Sequence, residues 1–127
     1  MAASPALRAV VLFAHGSRDP AWRAPIEAVA ARMRELDPAR PVRCAYLELT
    51  EPDLPTAAAA LLAEGAGEIV IWPMFLGTGR HARDDLPRLV SALRAEHPQA
   101  VFMLQPAIAE HPDVLQAMAQ AALTPAA

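Results

Sequence analysis

The sequence predicts an α/β fold in which a four-stranded parallel sheet carries helices on both faces. Four short segments are rich in β-branched, aromatic and other apolar residues, and an amphipathic helical segment follows each of them. Such continuous apolar runs are typical of strands buried on both sides. The expected chain order is βαβαβαβα, and right-handed crossovers distribute the helices over the two faces. The predicted strands are RAVVLFAH, PVRCAYLEL, EIVIWPMF and AVFMLQPA.

Each helical segment has one apolar stripe, which we expect to be buried against the sheet. Asp19-Pro20 predicts an N-cap and the first helical position, and His111-Pro112 predicts another helix start. Thr50 in TEPD predicts a capping box. The predicted stripes are Trp22, Ile26, Val29, Met33 and Leu36; Leu54, Ala58 and Leu61; Leu86, Leu89, Val90 and Leu93; and Val114, Leu115 and Met118.

Length and composition limit the class of protein. A chain of 127 residues predicts a single domain, 1–127, because domains run to roughly 100–200 residues. The first residues lack the regions of a signal peptide, and no apolar run approaches the ~18 residues of a membrane span. Cys44 is the single cysteine, which excludes an intrachain disulfide and fits a reducing compartment. We expect a soluble, cytoplasmic protein with no membrane contact.

The charged residues exclude several functions. The formal net charge is -3 and the basic residues are scattered, so nucleic acid is not an expected partner. Every basic residue is arginine, and the absence of lysine excludes a P-loop and a Schiff-base mechanism. Arginine suits fixed, bidentate recognition of carboxylates.

Three polar side chains follow the carboxyl ends of the first three predicted strands. His15 ends the first strand, Glu48 lies at the end of the second, and His81 follows the third in FLGTGRHARDDLP. Because ligands of open parallel sheets collect at this edge, topology gathers the three. Two imidazoles and a carboxylate form a ligand set for a divalent transition metal. Each residue alone also fits a structural role, as an N-cap or a solvated strand end, so the prediction depends on the set.

The glycines and the HGSR segment allow other interpretations. GTG has no GxGxxG continuation and follows the third strand, so it does not support a dinucleotide site. Gly77 and Gly79 fit a tight loop or a close approach of the backbone to a flat or anionic ligand. HGSR fits a phosphate site, with backbone N–H groups and Arg18 as donors, and leaves a phosphoryl-handling enzyme as an alternative.

The motifs HGSRDP, YLELTEP and P-x-F-L-x-x-G-x-H with the following DDLP resemble the small CbiX-type sirohydrochlorin cobaltochelatases, which are related to the sirohydrochlorin ferrochelatases. The resemblance covers most of the chain. It departs from the family pattern at DDLP, where DIP is usual, and at AEHP, where Ala109 replaces the glycine of GxHP before His111. The resemblance implies a chelatase-like fold that is one half of a larger two-domain chelatase.

The resemblance also implies the activity and its residues. The expected reaction is insertion of Co²⁺, Ni²⁺ or Fe²⁺ into the tetrapyrrole sirohydrochlorin, for cobalamin or siroheme-type biosynthesis, with the metal as substrate and no organic cofactor. His15, Glu48 and His81 match the metal-handling and catalytic residues of the family. A non-enzymatic metal or tetrapyrrole carrier is the alternative that uses the same residues.

Sirohydrochlorin is flat, apolar across its ring and bordered by carboxylates, which suits aliphatic walls with arginines at the mouth of the pocket. Since larger members of the superfamily place two such halves around one cleft, we expect a homodimer with its pocket at or beside the interface. The predicted substrate-binding residues are Ser17, Arg18, Gly79, Arg80 and Arg83.

Overall fold

Four strands form one parallel sheet in the computed structural model, which describes residues 7–124 and 126 except for the side chain of His81. The spatial order of the strands is β2-β1-β3-β4, and all three neighbouring pairs are parallel. The first strand therefore lies in the middle of the sheet, between the second and the third. The strands are β1 (Leu7–Ala14), β2 (Val42–Tyr46), β3 (Ala66–Pro73) and β4 (Val101–Leu104).

One helix follows each strand, which confirms the predicted order and fold class. A short 3₁₀ turn, Pro20–Arg23, leads into the first helix, and another, Ile108–Glu110, precedes the last. Among the helices in the described part of the chain, none is long and apolar enough to cross a membrane. The helices are α1 (Ala24–Leu36), α2 (Leu54–Ala63), α3 (Arg80–Glu96) and α4 (Pro112–Leu123).

The larger core lies between the sheet and the helices α2 and α3. Alternate residues of β1 point into it, including Val11 and Phe13, which are at most 1% exposed. The predicted stripes of both helices pack there, which confirms that part of the prediction. The buried helical residues are Leu54, Ala57, Ala58 and Leu61 of α2 and Leu86, Val90 and Leu93 of α3.

The opposite face of the sheet, which carries α1 and α4, is covered much less completely. Ala30 is the buried residue of α1, and none of the described residues of α4 is buried. The predictions that Val114, Leu115 and Met118 form a buried stripe, and that Trp22, Val29 and Leu36 do, are therefore wrong. Their spacing is helical, but the described chain provides no surface that covers them. The exposed fractions are 37% for Trp22, 39% for Val29, 72% for Leu36, 60% for Leu115 and 36% for Met118.

The helix caps confirm two of the three predicted starts. The Asp19 carboxylate accepts a hydrogen bond from the N–H of Ala21, with Pro20 next to it as the first residue of the 3₁₀ turn. His111 Nδ1 accepts from the N–H of Asp113 at the start of α4.

The predicted capping box at Thr50 is wrong. Asp53 caps α2 instead, because its carboxylate directly precedes the first helical residue and accepts a hydrogen bond of 2.9 Å from the N–H of Thr56. The Thr50 hydroxyl bonds to a different loop.

Candidate functional site

The carboxyl ends of β1, β2 and β3 meet at one edge of the sheet. His15 directly follows β1, Glu48 lies two residues beyond β2, and His81 lies in the first turn of α3, which follows β3. Because β1 is the central of these three strands, the His15 loop lies between the other two loops. The structure thus places the backbones of all three predicted residues at the same edge, while the side chain of His81 lies outside the described part.

Backbone hydrogen bonds extend the pairing of β1 and β2 as far as the candidate residues. The N–H of Leu47 donates to the carbonyl of Ala14 at 2.9 Å, and the N–H of Glu48 donates to the carbonyl of His15 at 3.0 Å. These hydrogen bonds therefore hold the backbone of Glu48 beside the backbone of His15.

Thr50 and Ser17 join the same two loops a second time. The N–H of Ser17 donates to Thr50 Oγ1 at 3.0 Å, and the Thr50 hydroxyl donates to the carbonyl of Ser17 at 2.7 Å. The Ser17 hydroxyl is itself an acceptor for the N–H of Asp19 at 3.1 Å. Thr50 thus joins the two loops of the candidate site. The sequence did not predict this role, because Thr50 begins the segment TEPD, which resembles a local helix start.

Gly16 allows the two loops to approach this closely. Its φ of +98° lies in the region that favours glycine, and a Cβ built on it would lie 1.7 Å from the carbonyl oxygen of Glu48. Any side chain here would push the two loops apart. By contrast, Gly77 and Gly79 lie outside the positive-φ region and face open space, so the tight loop proposed for them does not require glycine.

The His15 side chain is exposed, and its orientation is set by the β3 loop. Its ring stacks on Phe75, with 4.2 Å between ring centroids and 27° between ring planes. Phe75 is itself only 6% exposed and belongs to the larger core. Within the described residues, no hydrogen bond is made by either ring nitrogen of His15, so both are available to a ligand.

Glu48 is also exposed, and it forms no ion pair in the described part of the structure. Among the described side chains, no group of three or more His, Cys, Asp or Glu residues is arranged to hold a metal ion. The predicted set of three includes His81, whose side chain is not among them, so this set stays a prediction.

The predicted substrate-binding residues occupy both sides of this edge. Arg18 lines a recess of about 290 Å³ together with Ser17, Arg23 and Leu49. On the other side, Gly79 forms the N-cap of α3, and Arg80 and Arg83 are exposed in the first turn of that helix.

Below the edge, the end of β2 is uncharged at neutral pH. Burial raises the pKa of Tyr46 to about 12, followed by repulsion from the thiolate that Cys44 forms at high pH and from the Glu27 carboxylate. Burial, and then Glu27, also raises the pKa of the Cys44 thiol. The buried Tyr46 hydroxyl has no hydrogen-bond partner among the described residues. The charged groups of the site are therefore those of the loops above it.

Several known proteins are similar to this chain in sequence or in structure. A sirohydrochlorin cobaltochelatase of Methanococcus aeolicus is 33% identical over 90 residues, which cover 71% of this chain and 63% of that protein. The chain thus spans less than two thirds of the length of this curated relative.

Two solved structures share the fold. A protein described as a CbiX protein of cobalamin (vitamin B12) biosynthesis, from Marinobacter aquaeolei, has a TM-score of 0.78 and 32% identity, covering 89% of this chain and 92% of that one. The sirohydrochlorin chelatase SirB of Bacillus subtilis in complex with cobalt has a TM-score of 0.69 and 28% identity, covering 89% of this chain and 48% of SirB. The CbiX family model matches residues 9–124. The chain therefore belongs to the CbiX family.

Proposed function

We propose that this protein inserts a divalent metal ion into sirohydrochlorin. The observation that carries the proposal is the pair of joined loops that holds His15 and Glu48 at the carboxyl edge of the sheet. Membership of the CbiX family and the name of the Methanococcus aeolicus relative support the choice of substrate. The metal, Co²⁺, Ni²⁺ or Fe²⁺, is a substrate, and the reaction needs no organic cofactor.

In this proposal His15, Glu48 and His81 bind the incoming metal. Imidazole and carboxylate ligands suit all three metals, because the same donors bind several first-row ions. Three protein ligands leave coordination positions open, so the metal passes to the ring nitrogens instead of being trapped in a closed site. The exposed His15 ring, with both nitrogens unbonded in the described structure, is suited to such an exchange.

Insertion also requires the removal of two protons. Each of the two pyrrole N–H groups loses its proton as the metal–nitrogen bonds form, so a base must stand beside the ring. Glu48 is an exposed carboxylate on a fixed backbone, and a neutral imidazole of His15 or His81 serves the same purpose. Metal ligation and proton acceptance are thus divided among these three residues.

The arginines of the edge bind the peripheral carboxylates of sirohydrochlorin. Arg18 lies on the β1 side, and Arg80 and Arg83 lie at the start of α3 on the other. Ser17 and Gly79 lie at the same edge and complete the predicted substrate-binding set. Such a distribution suits a flat ligand with acidic groups around its rim.

The working unit in this proposal is a homodimer in the cytoplasm. This chain covers 48% of SirB, so one copy supplies a single sheet where SirB has room for two. Leu47, Leu49 and Leu76 are exposed at the carboxyl edge, with 38%, 56% and 80% of their surface accessible. A second copy facing this edge would enclose the pocket and cover part of this apolar surface.

An absorbance time course tests the proposal. Sirohydrochlorin is mixed anaerobically with Co²⁺, Ni²⁺ or Fe²⁺, with and without the protein, and formation of the metallated ring is followed by its spectrum. We expect faster insertion of at least one metal with the protein. Equal rates with and without the protein, despite binding of metal or tetrapyrrole, would instead identify a carrier. His97→Ala, at the opposite edge of the sheet, is the matched histidine control and should retain the wild-type rate.

A further inference from the structure

Leu49 has an unusual backbone conformation. Its φ is +63°, and among the described residues it is the one non-glycine residue with a positive φ. Leucine adopts this left-handed region rarely, because its Cβ crowds the following carbonyl oxygen. Strain of this kind is retained where a site uses the resulting geometry.

A tight turn holds Leu49 in this conformation. The N–H of Thr50 donates to the carbonyl of Glu48 at 2.8 Å, which closes a three-residue turn with Leu49 at its centre. The Thr50 hydroxyl is fixed in turn to Ser17 of the β1 loop. The turn is therefore anchored on both sides, and the side chain of Leu49 remains 56% exposed at its tip.

Leu49 stands between two recesses at the carboxyl edge. One recess of about 530 Å³ includes Glu48 and runs along the start of α2. The other, of about 290 Å³, includes Arg18 and Arg23 together with Glu51, which also borders the first recess. Leu49 thus lies between a recess that contains the proposed base and a recess that contains two guanidinium groups and one carboxylate.

Arg23 is available to a ligand in the second recess. Its ion pair with Glu27 has an N···O distance of 3.5 Å, and the two side chains are 43% and 57% exposed. Solvated pairs of this kind contribute little, so an incoming carboxylate competes readily for the guanidinium. Arg18 forms no ion pair among the described residues, so its guanidinium is also available to a ligand carboxylate.

We propose that Leu49 is a specificity-determining contact for the tetrapyrrole, with one apolar face of the ring against its side chain and a peripheral carboxylate between Arg18 and Arg23. This inference rests on the proposed function and adds Leu49 and Arg23 to its substrate-binding residues. The edge presents a carboxylate at Glu48, an apolar side chain at Leu49 and then the two arginines. This order suits a flat ring with acidic groups at its rim. The contact fixes how the ring is turned relative to the base.

Leu49→Asn tests the apolar contact. Asparagine tolerates the left-handed conformation, so the turn is retained while the apolar surface is lost. We expect the Kd for metal-free sirohydrochlorin, measured by fluorescence titration, to rise about tenfold, as for loss of about half of a buried leucine contact. Leu36→Asn is the control, because Leu36 is 72% exposed at the end of α1, and its Kd should match the wild type.

Leu49→Gly separates binding from stability. Glycine removes the side chain and relieves the strain, so this variant should unfold at an equal or higher temperature than the wild type and still bind sirohydrochlorin about tenfold more weakly. If both variants of Leu49 bind with the wild-type Kd, the proposal is overturned.

Arg23→Gln tests the carboxylate recess. Loss of one exposed charge pair should raise the same Kd about threefold and make it less sensitive to salt. Arg32→Gln is the control, since Arg32 also pairs with a glutamate on α1 and is 69% exposed. A wild-type salt dependence in Arg23→Gln would remove Arg23 from the contact.

Two further outcomes separate this inference from its premises. If Leu49→Asn changes the mass of the protein in solution but not its Kd for sirohydrochlorin, Leu49 is a subunit contact and the inference fails alone. If the wild-type protein does not bind sirohydrochlorin, the proposed function fails and the inference fails with it.

Discussion

The two faces of the sheet have similar sequence patterns and different degrees of burial. The stripes of α2 and α3 are buried in one core, whereas α4 has no buried residue among those described and α1 has Ala30. Both helix pairs have helical apolar spacing. Periodicity therefore identifies the apolar side of a helix but not whether the same chain covers it.

We call the face that carries α2 and α3 the closed face, and the face that carries α1 and α4 the open face. The closed face also supports the site. Phe75 belongs to the core on the α2 and α3 side, and its ring carries the stacked ring of His15. The open face instead has an apolar groove of about 490 Å³ between α1 and α4, with Trp72 and Met74 in its lining. Stability is therefore expected to come mainly from one face, and the following substitutions test this division.

The largest effect on stability is expected at Leu61 of α2. This leucine is fully buried, so Leu61→Ala removes core contacts and leaves a cavity. We expect the free energy of unfolding to fall by about 2–5 kcal/mol, measured by urea denaturation. A loss comparable to that of an exposed leucine would show that the two faces contribute alike.

His15→Ala should reduce activity without weakening the hydrophobic core. The side chain is exposed, so we expect a small change in the free energy of unfolding and a loss of metal insertion of about 100-fold or more. The initial rate of the spectral change measures activity, and thermal denaturation monitors the fold. Near-normal turnover in the folded variant would remove His15 from the mechanism.

Thr50→Val should have an intermediate effect. Valine keeps the shape but loses both hydrogen bonds to Ser17, which leaves a backbone N–H without its partner. We expect a loss of about 1 kcal/mol in stability and a lower kcat for metal insertion, because Glu48 is then less firmly placed. Thr124→Val, in the exposed C-terminal residues, should change neither quantity. If kcat is unchanged in Thr50→Val, the joined loops are structural only.

Asp53 gives the closed face a pH-dependent contribution. Hydrogen bonds from Thr56 lower the pKa of this carboxyl from its usual 3.8. Because the folded-state value is depressed, the contribution is complete above the unfolded-state pKa and is lost as the pH falls through the folded-state pKa. Asp53→Ala should cost about 1 kcal/mol near neutral pH. Urea denaturation at neutral and acidic pH should show the difference between variant and wild type disappear in acid.

Leu115→Ala should have the smallest effect and is the direct partner of the Leu61 experiment. Leu115 is 60% exposed on α4, so its loss should change the free energy of unfolding by less than about 0.5 kcal/mol. If the loss in free energy of unfolding grows with protein concentration, a second copy covers α4. The open face would then be buried in the assembly.

The sequence predicted the elements that depend on local patterns. Strand and helix order, the parallel sheet and the caps at Asp19 and His111 follow from apolar spacing and from residues next to each helix start. The arrival of His15 and Glu48 at one edge followed from the chain order, because parallel strands share the direction of their carboxyl ends.

The rest depends on partners that are distant in sequence. Thr50 matched a capping box, but its hydroxyl bonds to Ser17, 33 positions away. Gly16 is required because the carbonyl of Glu48 leaves no room for a side chain there, and no local motif indicates this contact. Leucine, unlike glycine or asparagine, does not indicate a positive φ in a sequence. The conformation of Leu49 is imposed by the turn around it. These residues were missed because tertiary contacts determine them.

The four hydrogen bonds that join the β1 and β2 loops also limit how this protein tolerates changes in chain length. Surface loops usually accept insertions, because few of their backbone groups are committed to partners. Here one added residue between Ala14 and Ser17, or between Tyr46 and Thr50, would move donors and acceptors out of register together. At the opposite edge, the hydrogen bonds described for the turn 97–100 stay within that turn and the helix before it. Variation in length is therefore expected to accumulate at that edge, while the two joined loops keep a constant number of residues.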